Sequence, residues 1–151
     1  MSVKDHRDLI AWQLADKLRR QIVKMVSSGP AATDLKFRRQ IEDAVGSVCR
    51  NIPEGFYRFN PREFRNFVRY AQGSLGEVQD ELQDGFERRY FTDDDFNEAW
   101  SLSVRTNSAL ASLGRYLRSR RAARNAEAIT RRKSDLRRQP RGHVDAEEPE
   151  P

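Results

Sequence analysis

The 151-residue chain is long enough for one domain with a buried core that needs neither a disulfide nor a metal. Charged residues make up 34% of it and hydrophobic residues 37%, with a net charge of +5, a balance typical of slender amphipathic helices. The single cysteine excludes an internal disulfide and no apolar run is long enough to cross a bilayer, so we expect a soluble, cytoplasmic protein that does not contact a membrane.

Apolar residues at helical spacing predict four helices, and no segment alternates as a strand does. The first predicted helix covers about residues 8–27 and stops at the Ser-Gly-Pro break of residues 28–30. The second covers about residues 34–51, and we expect Pro53 and Gly55 to end it.

The third predicted helix has the clearest start, with Asn60 as its cap and Pro61 at its first position. Its apolar stripe continues to about Phe86. The fourth is capped by Thr92 and reaches at least Leu117. Because the connections are short, the sequence predicts an all-α, up-down-up-down antiparallel four-helix bundle.

Two glycines inside the third predicted helix need an explanation. Gly73 and Gly76 each cost roughly 1 kcal/mol relative to alanine at such a position. A phosphate-cradling loop needs its glycines before a helix rather than within one. We interpret them as a place of close backbone approach, either by a neighbouring helix or by another subunit.

All of the excess positive charge lies near the C-terminus. Residues 1–114 contain 17 basic and 17 acidic side chains, whereas residues 115–151 contain 11 basic and 6 acidic ones. We therefore predict a bundle in residues 1–120 and a basic, then acidic tail in residues 121–151, disordered or partly helical. A solvated appendage and a basic arm for nucleic acid are both compatible with this composition.

A set of residues in the middle of the chain, with a shorter set near the start, has the spacing of a known family signature. The sets are Ser47-Val48, Asn51-Ile52, Glu54-Gly55-Phe56, Glu63-Phe64, Phe67, Ala71, Gly73-Ser74-Leu75 and Glu77, and Asp8-Leu9-Ile10 with Trp12-Gln13. They resemble the four-helix bundle family that includes the large-subunit ribosomal RNA intervening-sequence proteins and the accessory variability determinant of diversity-generating retroelements. The resemblance covers about residues 7–117. It implies a cyclic homopentamer and an accessory role beside a reverse transcriptase.

The chain departs from that family pattern at two positions. The family usually places proline two residues before the asparagine, where this chain has Cys49, and a small residue where it has Pro53. We therefore expect the bend between the second and third helices to be kept but built differently.

Catalytic and metal-binding patterns are sparse. His6 and His143 lie near opposite ends, so no Glu-x-x-His pair exists for a di-metal site. Arg138 and His143 have the spacing of a helical-bundle ribonuclease, but Pro140 and Gly142 interrupt the segment. We predict no enzyme activity, no cofactor and no metal.

Three polar residues of the second helix and its end have structural interpretations. Cys49 is predicted to be a small packed thiol, and Asn51 to close the helix end. Glu54 is predicted to accept free N–H groups or to pair with Arg58 or Arg62, with a general base as the alternative.

The third predicted helix carries its charges against the preference of the helix dipole, with arginines first and acids later. Such a local penalty suggests that the charges serve a partner. In an antiparallel bundle the end of the fourth helix returns to the same pole. The predicted nucleic-acid-binding residues, for RNA or DNA, are Arg58, Arg62, Arg65, Arg69, Arg115 and Arg118. The nearby aromatic residues Tyr57, Phe59 and Tyr70 are the predicted stacking surfaces.

The opposite pole is divided into a basic side and an acidic side. The basic side comprises Arg19, Arg20, Lys24, Lys36, Arg38 and Arg39, and the acidic side Asp80, Asp84, Glu87, Asp93, Asp94, Asp95 and Glu98. A solvated surface explains this division, and so does head-to-tail association into a ring. The sequence thus predicts a non-enzymatic ring that binds nucleic acid, with a purely structural ring and an unrecognised nuclease as competitors.

Overall fold

The computed structural model describes residues 3–138, and every regular element within that range is a helix. A 3-10 turn at His6–Asp8 precedes α1 (Ile10–Val26), α2 (Gly29–Thr33), α3 (Leu35–Phe56), α4 (Pro61–Glu87), α5 (Asp93–Leu117) and α6 (Arg120–Arg138). The predicted all-helical class is confirmed. Within the described range no helix is both long enough and apolar enough to cross a membrane. The predictions for His143 and for the acidic end lie outside the described residues.

The four long helices contact one another in a cycle, with α3 packed on α1 and α4, and α5 packed on α1 and α4. The hydroxyl groups of Ser47 in α3 and Ser74 in α4 lie 2.8 Å apart, and Gly55 lies against Phe64. Later residues of α3 therefore meet earlier residues of α4, so these two helices are antiparallel.

The same relationship holds between α4 and α5. Gln79 Nε2 donates a hydrogen bond to Ser103 Oγ at 3.0 Å, and Gln72 Nε2 donates one to Asn107 Oδ1 at 3.3 Å. Earlier residues of α4 thus pair with later residues of α5, so these two helices are also antiparallel. The start of α4 and the end of α5 consequently lie side by side.

A continuous apolar core fills the space between the four long helices. Its largest fully buried side chains include Leu18, Ile22, Ile41, Ile52, Leu75, Leu82 and Leu110. All seven lie on the inward faces of α1, α3, α4 and α5. Burying a side chain of this size stabilises a fold by roughly 1.5–3 kcal/mol, so this core holds the helices together.

Side-chain caps fix the starts of three helices. Asp34 Oδ1 accepts a hydrogen bond from the backbone N–H of Phe37 at the start of α3. Asn60 Oδ1 accepts from two N–H groups at the start of α4, and Thr92 Oγ1 accepts from the N–H of Asp95 in α5. The predicted caps at Asn60 and Thr92 are confirmed.

The predicted end of the second helix at Pro53 and Gly55 is wrong, because α3 continues to Phe56. Pro53 lacks an N–H donor, but its carbonyl still accepts from the N–H of Tyr57 at 3.1 Å, so the last turn closes. Gly55 is buried rather than terminal. A Cβ at Gly55 would lie 2.5 Å from Phe64 Cδ2, so this glycine permits the close approach of α4.

A neighbouring helix does not explain Gly73 and Gly76, and that half of the prediction is wrong. Both are exposed, and a Cβ at either position would meet nothing within 4 Å among residues 3–138 apart from its chain neighbours and the adjacent backbone of α4. Approach by another subunit stays a prediction.

The arginine-rich segment after Leu117 is not a continuation of α5. The chain breaks at Arg118 and Ser119, and Ser119 Oγ accepts a hydrogen bond from the N–H of Ala122 at 3.3 Å. Ala122 is buried, and α6 turns back to contact both α5 and α4. Ala122 is the one buried residue of α6. The division into a body and a tail stays a prediction.

Candidate functional site

An open groove with a volume of about 590 Å³ lies where the α3–α4 turn, the end of α5 and the first half of α6 meet. We call it the terminal groove. Phe59 of the turn lies at one of its edges. Its charged lining consists of Arg62, Arg65, Arg118, Arg131 and Glu127.

A second groove of about 420 Å³ runs between α4 and α5. Its cationic lining consists of Arg65 and Arg69 of α4, Arg115 of α5, and Arg118, which follows α5. Arg65 and Arg118 line both depressions, so the two adjoin. We call the combined surface the basic groove. The antiparallel packing of α4 on α5 produces it, because this packing places the start of one helix beside the end of the other.

The arginines of the basic groove have no carboxylate partner within the part of the chain that the structure describes. None of Arg62, Arg65, Arg69, Arg115, Arg118 and Arg131 forms an ion pair there. Arg115 donates a hydrogen bond to Ser112 Oγ at 2.9 Å, and Glu127 is the acid that lines the groove. A concentration of cations with so little compensation produces a positive potential that attracts anions.

Arg58 lies away from the basic groove. Its Nη2 donates to Glu54 Oε1 at 2.6 Å, and its guanidinium lies 5.2 Å from the centre of the Phe67 ring. The pair confirms the structural prediction for Glu54, which places that carboxylate beside Arg58. The remaining five predicted arginines line the basic groove.

Sequence reasoning missed Arg131. The residue reaches the groove because the helix breaks at Arg118 and Ser119 and α6 packs against α5 and α4 with Ala122 buried. The local signal was present, since serine is a frequent cap and the segment after it is rich in alanine and arginine. What the sequence did not indicate was the direction of the helix.

Of the three predicted stacking surfaces, Phe59 alone lines the basic groove. Its side chain is 45% exposed, its φ is 52°, and Lys133 Nζ lies 4.1 Å from its ring centre. The hydroxyl of Tyr57 lies 3.1 Å from Nδ1 of His6, on the side of α1 and α3. Tyr70 is exposed, with Phe67 against its ring.

The prediction that Asn51 closes the end of the helix is wrong. Its Nδ2 donates to the carbonyl of Ser47 at 2.8 Å and lies 3.2 Å from Ser47 Oγ. Ser47 Oγ in turn meets Ser74 Oγ of α4. The helix continues past Asn51, so its amide bonds within α3 to Ser47, and the Ser47 hydroxyl makes the contact with α4.

Cys49 lies outside the groove. Cys49 is half-buried, and burial raises the pKa of its thiol to about 11, as expected for a packed thiol. Among residues 3–138, no group of three or more His, Cys, Asp and Glu side chains is arranged to hold a metal ion.

The basic side of the opposite pole is partly neutralised by acids of its own helices. Asp16 accepts from both Arg19 and Arg20 at 2.8 Å, and Arg38 pairs with Glu42 at 3.0 Å. Burial alone would raise the pKa of Asp16, but the hydrogen bonds from the two arginines lower it overall. This pole therefore offers less uncompensated charge than the basic groove.

Comparisons with known proteins match most of the residues that form this fold. The family model described as 23S rRNA-intervening sequence protein matches residues 7–112. A solved structure of a protein with unknown function from the S23 ribosomal protein family of Bacteroides thetaiotaomicron is 18% identical, with a TM-score of 0.65. The match covers 72% of this chain and 98% of that chain, and at this identity it shows the fold alone. No curated protein matches. Arg115, Arg118 and α6 lie beyond the residues of the family match.

Proposed function

The chain belongs to the 23S rRNA-intervening sequence protein family, and we propose that it is a non-enzymatic protein that binds nucleic acid through the basic groove. One observation carries this proposal. Arginines from α4, α5 and α6 converge on adjoining depressions, and no carboxylate of residues 3–138 pairs with them: Arg62, Arg65, Arg69, Arg115, Arg118 and Arg131.

Arginine suits a phosphate ligand because its planar guanidinium presents several N–H donors in a fixed arrangement. Arg62, Arg65 and Arg69 follow one another at steps of three and four residues on α4, so they form one stripe. Such a stripe matches the repeated charges of a nucleic-acid backbone, either RNA or DNA. Displacement of condensed counterions then supplies most of the affinity and makes it depend on salt.

We infer that α1, α3, α4 and α5 form the up-down-up-down antiparallel four-helix bundle. Two contacts along α3–α4 and two along α4–α5 pair later residues of one helix with earlier residues of the other, as antiparallel neighbours do. Gln21 near the end of α1 bonds Asp95 near the start of α5, and His6 before α1 contacts Tyr57 after α3. All four neighbouring pairs are thus consistent with alternating directions.

We also propose that copies of the chain associate in a cyclic homo-oligomer, with five members as the family resemblance implies. The exposed glycines Gly73 and Gly76 support association on the outer face of α4, since each costs roughly 1 kcal/mol while no other helix of residues 3–138 packs closely against it. An accessory role in the cytoplasm, beside a reverse transcriptase or another RNA-handling enzyme, is the part of the proposal that the resemblance supplies.

A purely structural ring that ignores nucleic acid is the second candidate. The equal numbers of basic and acidic side chains in residues 1–114 favour it, because a neutral body attracts no polyanion at long range. The local concentration of arginines at the basic groove favours nucleic-acid binding instead.

Mobility shifts of labelled RNA and DNA at several salt concentrations separate these functions. Replacing Arg62, Arg65 and Arg69 by alanine should lower the log–log salt slope by roughly 0.7–0.9 for each lost phosphate contact. A matched triple variant removes Lys24, Arg39 and Arg105, three exposed cations outside the groove, and should change the slope less.

Each result of this experiment has a defined meaning. Equal effects of the two triple variants would show that binding responds to overall charge and would overturn the assignment to the groove. A wild-type protein that shifts no nucleic acid would favour the structural ring. Cleavage of the labelled RNA, abolished in neither triple variant, would indicate the unrecognised nuclease.

A further inference from the structure

An aromatic ring lies at the edge of the terminal groove and carries a lysine on its face. Phe59 is 45% exposed, and Lys133 Nζ of α6 lies 4.1 Å from the centre of its ring. The φ of Phe59 is 52°, in the left-handed region that is unfavourable for a residue with a side chain. The turn therefore holds an apolar ring at the surface, next to a row of cations, in a conformation that the chain adopts at a cost.

We propose that the basic groove takes single-stranded nucleic acid, with one unpaired base stacked on Phe59 and the backbone phosphates on Arg62, Arg65 and Arg118. This inference rests on the proposed function and adds the class of ligand. A base can stack on an aromatic side chain only when its face is free. In a duplex the faces are covered by neighbouring base pairs, so a duplex would use the arginines and leave the ring unused.

Lys133 holds the place of the base in the absence of a ligand. A lysine over an exposed aromatic ring makes a weaker interaction than a stacked base does. Its side chain is also flexible and strongly hydrated. An incoming base therefore displaces the ammonium from Phe59, and the released charge lies close enough to a bound strand to add an attraction for phosphate.

The acid in the groove indicates where the backbone of the strand runs. Glu127 lies on α6, whereas Arg62 and Arg65 lie on α4 and Arg118 follows α5. Phosphates avoid the carboxylate and approach the arginines of α4 and α5. The strand then lies between the α3–α4 turn and α5, with Phe59 within reach of a base.

The substitution Phe59→Leu tests this inference, since leucine keeps an apolar side chain and removes the aromatic face. The probes are a short single-stranded oligoadenylate, a duplex of equal length, and an abasic strand with the same number of phosphates. We expect Phe59→Leu to weaken binding of the oligoadenylate by roughly 5- to 150-fold and to leave the other two probes unchanged. Tyr70→Leu removes an exposed aromatic ring outside the groove and should change none of them.

A second variant and the wild-type protein make the outcomes distinct. Phe59→Tyr keeps the ring and should bind the oligoadenylate like the wild type. If Phe59→Leu weakens all three probes equally, or weakens none, stacking is overturned while nucleic-acid binding by the groove still stands. If the wild-type protein binds none of the three probes, the proposed function itself falls.

Discussion

Gly55 of α3 lies against Phe64 of α4 so closely that a Cβ at Gly55 would stand 2.5 Å from Phe64 Cδ2 and 2.8 Å from Phe67 Cβ. The two helices α3 and α4 can thus pack this closely only because residue 55 has no side chain. Gly73 of α4 differs completely, because a Cβ there would meet open space within the described chain. The same residue type therefore has two separate roles in one fold.

Replacing Gly55 by alanine should lower the free energy of unfolding by about 1–3 kcal/mol, because overpacking outweighs the better helix propensity of alanine. Gly73→Ala is the matched control and should raise it by up to about 1 kcal/mol. Urea unfolding followed by circular dichroism measures both. A stabilising Gly55→Ala substitution would mean that α3 and α4 separate there without cost.

Asp34 connects the start of α3 to the α4–α5 turn, and this connection should depend on pH. The N–H of Phe37 and the hydroxyl of Tyr90, 2.8 Å from Oδ2, hold the pKa of Asp34 below its ordinary value of 3.8. Because the folded pKa is lowered, the stabilisation is present above 3.8 and is lost as pH falls through the folded value. Melting temperatures near neutral pH and in acid should therefore differ less in Asp34→Ala than in the wild type.

A matched carboxylate provides the control for that pH dependence. Asp43 is exposed on α3 and accepts no hydrogen bond from residues 3–138. Asp43→Ala should keep the difference between neutral and acid melting temperatures that the wild type shows. An equal change in both variants would show that the sensitivity to acid does not come from the Asp34 cap.

The thiol of Cys49 should react slowly in the folded protein. Burial raises its pKa from 9.0 to about 11, and the thiolate is the species that attacks iodoacetamide. Near pH 8 the ionised fraction should then be roughly a hundredfold smaller in the folded chain than in urea. Mass spectrometry of alkylated protein gives the two rates. Comparable rates would show that Cys49 is accessible and ionisable, against a packed thiol.

Much of the fold could be predicted because its signals are local. The caps at Asn60 and Thr92 were readable, since a capping side chain bonds to N–H groups two or three residues away. The apolar stripes were readable for a similar reason, since Leu75 and Leu82 repeat on one face of a single helix.

The errors arose where distant contacts override local preference. Pro53 and Gly55 are helix breakers in sequence, but the contact of Gly55 with Phe64 keeps α3 helical to Phe56. The candidate site shows the same limit. Five predicted arginines converge because the start of α4 lies beside the end of α5, whereas Arg131 required knowing that α6 packs against these two helices.

Removal of α6 separates the contributions of the body and the C-terminal segment. Within residues 120–138 only Ala122 is buried, so a chain ending at Ser119 should fold with little loss of stability. It should assemble to the same multiple of its monomer mass by light scattering. Binding of nucleic acid should weaken but stay measurable, because Arg62, Arg65 and Arg69 remain. Complete loss of binding would assign it to the basic arm alone.

Gly73→Leu tests association on the outer face of α4. The position is exposed and leucine is a far better helix former than glycine, so the substitution should not destabilise the fold and should raise the free energy of unfolding by up to about 1 kcal/mol. If a second copy approaches the α4 backbone at Gly73, the added side chain blocks that approach and light scattering should report smaller assemblies. Gln83→Leu adds the same side chain at another exposed position of α4 and should leave assembly unchanged. If the Gly73→Leu protein assembles like the wild type, the contact between copies lies elsewhere. The two exposed glycines then have no role in association.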